Sequence, residues 1–200
     1  MNKIAFVLFL IWNSISYASE NVYENAEIGF SIEKPKDWFF LSKQDVESNR
    51  ERARLNDEEL NANLKYRARL PLVSISKYED PEVMESVTPT VNVTMTPVSN
   101  PGPAEIMLSY VLDQSMSRAQ EYQLLSGPEP ISVSGLKAAI AEVKFEMGNN
   151  AGAEFKIKSR IYIVPRGNYI FTIGMSGPAS GPDISEEEFK AVLQSVKFGK

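Results

Sequence analysis

Apolar and polar residues alternate in several stretches of the chain, a pattern typical of β-strands. Val73 and Ile75 alternate with serines, and Val91 and Val93 alternate with Asn92 and threonines. Successive side chains of a strand point to opposite faces, so one face should be buried and the other wet or covered by polar surface. The alternation predicts strands in residues 22–34, 70–78, 90–98, 123–133, 136–147, 155–163 and 169–175.

The first predicted helix occupies residues 42–66, which contain neither Gly nor Pro. Ser42 is followed three residues later by Asp45, as expected for a helix N-cap. A second start signal, Asn56 followed by Glu59, predicts that the segment divides into two helices. Its apolar residues are few, so we expect this region to lie on the surface.

Two further helices are predicted in the second half of the chain. Pro103 suits the start of a helix, and residues 104–122 carry apolar residues at helical spacing that should pack on the sheet. Ser185 and Glu188 form the sequence pattern of a capping box, which predicts a final helix ending near Ser195.

The order of these elements predicts the fold class α+β. Strands joined by short turns make a mostly antiparallel sheet, and helices between them cover its faces as an α/β/α sandwich. The sequence has no internal repeat and no low-complexity linker. We therefore predict a single domain over residues 19–200.

Residues 1–18 differ from the rest and predict a signal peptide. Lys3 gives a positive start, the run from Ile4 to Trp12 is apolar, and small residues precede a cleavage point after Ala18. The run is shorter than the roughly 20 residues of a membrane-spanning helix. The pattern predicts export and favours the periplasm over the extracellular space.

Composition limits the chemistry, because the 200 residues include no histidine and no cysteine. This excludes a Ser–His–Asp or Cys–His nucleophile and a Cys/His zinc site. The formal net charge of −5 argues against a nucleic-acid partner. We predict no catalytic residue, no metal ligand and no cofactor.

Short motifs near both ends resemble a known superfamily. The opening segments Tyr23–Asn25, Ile28–Ile32 and Pro35–Trp38 resemble the start of PsbP-like proteins and related bacterial envelope proteins, which share a superfamily with the Ran-release factors. Phe189 and the segment Val192–Phe198 resemble the end of the same proteins.

This resemblance implies an α/β/α sandwich with a central antiparallel sheet, in which Gly29, Phe30 and Trp38 are core or turn residues. It also implies a non-enzymatic role, since members of the superfamily resemble binding and assembly modules. The function expected on this basis is an exported binding or assembly-accessory module that contacts an unknown envelope protein.

Five arginines make the main basic concentration and are the candidate partner-binding residues. Such a group would suit an acidic partner or lipid head groups at a peripheral membrane contact. The alternative is an ordinary solvated helix face, because Glu47 and Glu51 lie among the arginines. The five residues are Arg50, Arg52, Arg54, Arg67 and Arg69.

The alternative function is a carboxylate-based hydrolase that acts on envelope polymers. Acids cluster at residues 57–59 and 186–188, but both runs lie at predicted helix starts, where acids favour the helix dipole. A hydrolase needs two carboxylates that face each other across a cleft. The sequence leaves this arrangement, and the oligomeric state, open.

Overall fold

The computed structural model describes residues 20–54, 58, 62, 69–79, 87–149, 152–181 and 184–199. The three described helices are α1 (Lys43–Arg52), α2 (Ala104–Val111), which continues into a π-helical turn (Leu112–Met116), and α3 (Glu186–Ser195). The strands are β1 (Val22–Asn25), β2 (Phe30–Glu33), β3 (Phe39–Phe40), β4 (Ala53–Arg54), β5 (Val73–Ser76), β6 (Thr90–Pro97), β7 (Gln123–Val133), β8 (Leu136–Asn149), β9 (Glu154–Arg166), β10 (Tyr169–Pro178) and β11 (Lys197–Phe198).

Most described strands belong to one antiparallel sheet, which confirms the predicted α+β fold class. Its order is β3-β5-β6-β10-β9-β8-β4, and β7 also pairs with β8. The long strands β8, β9 and β10 form the predicted meander, because each pairs with the next over most of its length. A smaller sheet contains β1, β2 and β11 in the order β1-β2-β11.

One face of the large sheet is covered by α3 together with the small sheet. Phe171 and Ile173 of β10 lie in this core with Phe30 of β2 and Phe189 and Val192 of α3. All five are buried. Helices were predicted to cover this face of the sheet. In the structure α3 covers only part of it, and the small sheet covers the rest.

The opposite face carries α2 at one end and α1 at the other. Leu108 of α2 packs against Ala139 and Ala141 of β8 and against Ile161 and Ile163 of β9. The small alanines let the helix approach the sheet closely. Towards β5 and β6 this face changes from apolar to hydroxyl and amide side chains, and α1 lies over that part.

Aromatic rings hold the two sheets together. Phe30 stacks on Phe171 with ring centroids 5.6 Å apart, and Phe198 meets both rings at 5.5 and 4.9 Å. Trp38 meets Phe189 edge to face at 5.8 Å. The motif residues that carry the family resemblance are therefore mostly packing residues.

Four local predictions differ from the structure. The helix that begins after Ser42 ends at Arg52, and residues 53–54, inside the predicted helical segment 42–66, form β4. Residues 22–34 form a hairpin of β1 and β2 rather than one strand, because Gly29 takes a φ of +56° in the turn between them. The α-helical part of the second helix ends at Val111 rather than continuing to residue 122. Ser185 does not cap α3: its φ is +54°, and its hydroxyl instead accepts a hydrogen bond from Lys77 at 3.0 Å.

The predicted signal peptide over residues 1–18 lies outside the described residues, and so do Asn56 and Glu59 of the predicted second helix start. Within the described part of the chain, every helix is too short or too polar to cross a membrane.

Candidate functional site

A cleft of about 340 Å³ separates α1 from the polar part of the large sheet. Strands β5 and β6 form its floor, and the end of β8 contributes Met147 to its wall. The volume is at the lower end of the range for ligand-binding clefts, roughly 300–1,000 Å³.

The cleft exists because α1 makes few apolar contacts with the sheet. Ser42 and Asp45 form the predicted cap at the start of α1, as a capping box. The backbone N–H of Ser42 donates to the Asp45 carboxylate at 2.8 Å, and the backbone N–H of Asp45 donates to the Ser42 hydroxyl at 3.2 Å. The Ser42 hydrogen bonds lower the pKa of Asp45, so its carboxylate stays charged at the positive end of the helix. Val46 is the one buried residue of α1, so a single apolar contact supports this helix and a gap remains beside it.

The floor of the cleft presents hydrogen-bonding groups. Ser74 donates to the side-chain oxygen of Asn92 at 2.6 Å, which orients the amide and leaves its nitrogen as a donor. Thr90 and Thr94 flank Asn92 on the same face of β6 and also line the cleft. Among the described residues, no hydrogen-bond partner is found for the hydroxyls of these two threonines.

The walls of the cleft are mostly apolar. The apolar side chains of Leu41, Val46, Pro71 and Met147 line it. Apolar walls with a few placed polar groups are characteristic of small-ligand and peptide sites, where the walls supply burial and the polar groups fix orientation.

Arg50 brings a positive charge to this cleft. Its side chain lines the cleft and donates to the backbone carbonyl of Arg69 at 2.5 Å. Burial lowers the pKa of Arg50, and the nearby charge of Glu47 opposes that effect. Because an arginine pKa is normally above 12, the guanidinium remains charged at neutral pH.

The structure brings together only part of the predicted arginine group. Arg52 turns back along α1 and donates to Ser48, whereas Arg69 is exposed and meets Arg50 through its carbonyl. Arg54 pairs through its backbone with Gly148 of β8. Arg67 lies outside the described residues.

The cleft lacks the groups that acid–base catalysis requires. Among the described residues that line it there is no carboxylate, lysine or tyrosine, and Arg50 is the ionisable group. Within the part of the chain that the structure describes, no group of three or more acids is placed to hold a metal ion. The arrangement can bind and orient a ligand through burial, hydrogen bonds and one positive charge.

Sequence reasoning missed the floor of the cleft. The alternation of Ser74, Asn92 and Thr94 with buried valines was visible, but it says only that one face of each strand is polar. A run of hydroxyl and amide residues at the same face of two neighbouring strands is the signal that could have found it.

A second group of charged residues lies on the opposite face of the sheet. Arg160 of β9 donates to Glu142 of β8 at 2.9 Å and contacts Glu186 of α3 at 2.5 Å. Lys158 contacts the same two carboxylates at 3.1 and 3.4 Å. The adjoining cavity is only about 10 Å³, so this group closes the junction between α3 and the sheet.

No protein-family model matches the sequence, and no curated protein matches it. The fold is similar to that of LpqN, described as involved in cell envelope biogenesis of Mycobacterium tuberculosis, with a TM-score of 0.52, 10% identity and coverage of 86% of this chain and 83% of LpqN. It is also similar to the cyanobacterial PsbP protein CyanoP from Synechocystis sp. PCC 6803, with a TM-score of 0.50, 10% identity and coverage of 89% and 91%. At these identities the likeness concerns the fold, and at that level it confirms the resemblance to PsbP-like proteins.

Proposed function

We propose that this chain is a non-catalytic binding or assembly-accessory module of the cell envelope, which is exported to the periplasm and contacts a partner protein through the cleft under α1. The observation that carries the proposal is the composition of that cleft. Its described lining combines apolar walls, a floor of hydrogen-bonding side chains and one arginine, without a group that could exchange a proton near neutral pH.

Two further observations support a role in the envelope. Residues 1–18 have the three-part pattern of a signal peptide, which directs a chain to export. LpqN, which has a similar fold, is described as involved in cell envelope biogenesis.

For the alternative, a carboxylate-based hydrolase, Glu142 and Glu186 are a pair of acids that contact the same two cations, Arg160 and Lys158. Burial tends to raise the pKa of Glu142, but the hydrogen bonds from Arg160 and Lys158 outweigh this and leave the pKa below its usual value. A general acid needs the opposite shift, because it must hold a proton near neutral pH. Glu186 also lines a cavity of about 10 Å³, which is too small for a polymer, so this pair of acids does not suit a hydrolase site.

Site-specific photo-crosslinking in the cells that produce the protein tests the proposal. A photoreactive amino acid replaces Asn49, which lies at the edge of the cleft, in the full chain. We expect a discrete adduct with one envelope protein. The same replacement at Lys190, an exposed residue of α3 on the other face of the sheet, is the matched control.

An adduct from position 49 that Arg50→Gln weakens, with none from position 190, supports the proposal. Equal labelling from both positions, or no adduct from position 49, contradicts it. If the purified protein instead hydrolyses an envelope polymer, and Glu142→Gln abolishes that hydrolysis, the chain is a carboxylate-based hydrolase.

A further inference from the structure

A second cavity, of about 550 Å³, lies beside the small sheet and is separate from the cleft under α1. Its lining comes from residues 20–21 before β1, from the segment 34–41 that includes β3, and from one residue each of α1 and the segment after β5. Among the described lining residues, Leu41 is the one that the two cavities share. The volume falls within the usual range for ligand sites, roughly 300–1,000 Å³, so the cavity is large enough for a small ligand.

Lys34 brings a buried positive charge to this cavity, since its side chain is only 8% exposed. Its ammonium donates to the side-chain oxygen of Asn21 at 2.9 Å and lies 5.6 Å from the ring centroid of Phe40. Both neighbours line the cavity, so the ammonium faces it. Among the described residues, no carboxylate forms an ion pair with this ammonium. Because an ammonium has three donors and a buried charge is normally paired, Lys34 has donors left for an anionic group.

The other charged residues of the cavity are exposed, and most of them are acids. Glu20 and Glu79 form no ion pair within the described part of the chain, whereas the Asp45 carboxylate is held by the cap of α1. Lys36 is the exposed cation among them. A simple anion would have to pass this acidic rim, and a simple cation would leave Lys34 without a partner. Charge complementarity therefore favours a zwitterion, with its anionic end inside and its cationic end at the rim.

The positions of these charges also favour a ligand whose two ends are separated. In a free amino acid the ammonium and the carboxylate are attached to the same carbon, whereas in a short peptide they lie at opposite ends. The cation of the cavity is buried and its acids are exposed, so separated ends match it better. Trp38, Phe39 and Phe40 add aromatic walls, which favour apolar side chains between the two ends.

We propose that this cavity binds a short apolar peptide with both termini free, with its carboxylate on the Lys34 ammonium and its amino group at Glu20 and Glu79. The two carboxylate oxygens accept hydrogen bonds from the donors that Lys34 has left, and such charge-assisted bonds are the strong ones. The contact at the rim contributes less, because solvent and salt screen exposed charges. The side chains of the peptide cover the aromatic walls.

Calorimetric titration of the full chain tests this occupant, with Trp12→Phe so that Trp38 is the one tryptophan that remains. Calorimetry gives the affinity, and the fluorescence of Trp38, which lines the cavity, shows whether the ligand binds there. The probes are the dipeptide Leu-Leu, its N-acetylated form and its C-terminal amide. Free leucine and Gly-Gly are comparison probes.

We expect Leu-Leu to bind and to change the fluorescence of Trp38. Its amide should bind about tenfold or more weakly, because it leaves Lys34 without an anionic partner. N-acetylation should weaken binding about two- to fivefold, since it removes only the contact with the exposed acids. Free leucine and Gly-Gly should both bind more weakly than Leu-Leu, because the first lacks separated ends and the second lacks apolar side chains.

Lys34→Met should abolish the difference in affinity between Leu-Leu and its amide, which would identify the contact as a thermodynamic coupling. Lys190→Met, at an exposed position of α3, is the matched control and should leave every affinity unchanged. Thermal denaturation checks that both variants fold. If Lys34→Met does not fold, the comparison of the probes on the chain with Lys34 intact still decides.

Equal or tighter binding of the amide overturns the inference, as does tighter binding of the N-acetylated form, of free leucine or of Gly-Gly than of Leu-Leu. Failure of Leu-Leu to bind also overturns it, and so does binding that leaves the fluorescence of Trp38 unchanged. The cleft under α1 is a separate site, so the Asn49 crosslink tests the proposed function whatever the peptides do.

Discussion

Trp38 meets Phe189 edge to face, with ring centroids 5.8 Å apart and ring planes at 75°. Trp38 follows the small hairpin and Phe189 belongs to α3, so this pair fixes the last helix to the first part of the chain. Both rings are nearly inaccessible to solvent. Aromatic pairs of this geometry contribute about 0.5–1.5 kcal/mol beyond the area that they bury.

Phe189→Ala should lower the free energy of unfolding by about 3–5 kcal/mol, because it removes a large buried side chain and leaves a cavity. Urea denaturation followed by the fluorescence of Trp38, in a chain with Trp12→Phe so that one tryptophan remains, measures the loss. Lys190→Ala, at the exposed neighbouring position, should change the stability by less than about 0.5 kcal/mol. Equal effects of the two substitutions would show that the Trp38–Phe189 contact is absent in solution.

Gly29→Ala should destabilise the protein more than Gly167→Ala. Both glycines have a φ of +56°, so each substitution incurs the cost of a left-handed conformation, about 1–2 kcal/mol. A side chain at Gly29 would also approach Nη2 of Arg166 to 3.3 Å, whereas at Gly167 it would meet nothing within 4 Å. Arg166 cannot move freely, because it donates to the carbonyls of Ile28 and Gly199.

Thermal denaturation of the two glycine variants gives the comparison. The difference between them isolates the crowding at Gly29, since the backbone cost is shared. Equal melting temperatures would mean that Arg166 does not hold the position that the structure shows.

Glu142 should make the stability of the protein depend on acid pH. The hydrogen bonds from Arg160 and Lys158 hold its pKa below the ordinary value of 4.5, despite the opposing effect of burial. The unfolded chain therefore binds the proton more readily, and the stabilisation is present above the unfolded pKa and is lost as the pH falls through the folded pKa.

Urea denaturation at a series of pH values checks this dependence. Glu142→Gln should flatten the fall in stability below pH 4.5, whereas Glu129→Gln, an exposed residue for which no ion pair is found among the described residues, should leave it unchanged. An unchanged slope in the Glu142 variant would count against the ion-pair network.

Ser74 and Asn92 should be thermodynamically coupled. Asn92→Leu leaves the Ser74 hydroxyl, which is only 4% exposed, without its acceptor and should cost about 1–3 kcal/mol. Ser74→Ala in the same chain should recover part of that loss, because it removes the unsatisfied group. A double-mutant cycle by urea denaturation measures the coupling, and strictly additive losses would be inconsistent with the 2.6 Å hydrogen bond.

Local sequence patterns predicted the longer strands of the large sheet, β5 to β10, because the alternation of buried and exposed residues is set within each strand. They missed β4, which lies inside the predicted helical segment 42–66. The same patterns could not show that β2 pairs with β11, since that pairing joins residues from opposite ends of the sequence. The turn at Gly29 was hidden for a related reason: apolar residues continue at period two across it, although the chain reverses direction there.

The cap predicted at Ser42 forms, whereas the capping box predicted at Ser185 does not, although the two sequences look alike. At Ser42 the acid three residues later is free to return to the cap. At Ser185 the ammonium of Lys77 donates a hydrogen bond to the serine hydroxyl, and Lys77 also contacts the Glu188 carboxylate at 3.6 Å. A contact with Lys77, which follows β5 and is distant in the sequence, has replaced the local one, and the sequence around the helix does not reveal it.

The cleft has features that local sequence patterns predict and one feature that they do not. Its floor follows from alternation in β5 and β6, and the charge of Arg50 belongs to the arginine group that composition pointed out. The floor and Arg50 come together only because of the position of α1 over the sheet. With a single buried residue, α1 has almost no hydrophobic pattern from which that position could be predicted.

The pairing of β2 with β11 has a consequence for how the protein is made. Phe30 reaches its contacts with Phe198 only after the last strand has been synthesised, because nearly the whole described chain lies between them. A nascent chain therefore carries an incomplete small sheet, with Phe30 lacking its contact with Phe198, until β11 has been synthesised. Closure of the small sheet is therefore a late, long-range step of folding, because β2 and β11 are far apart in the sequence.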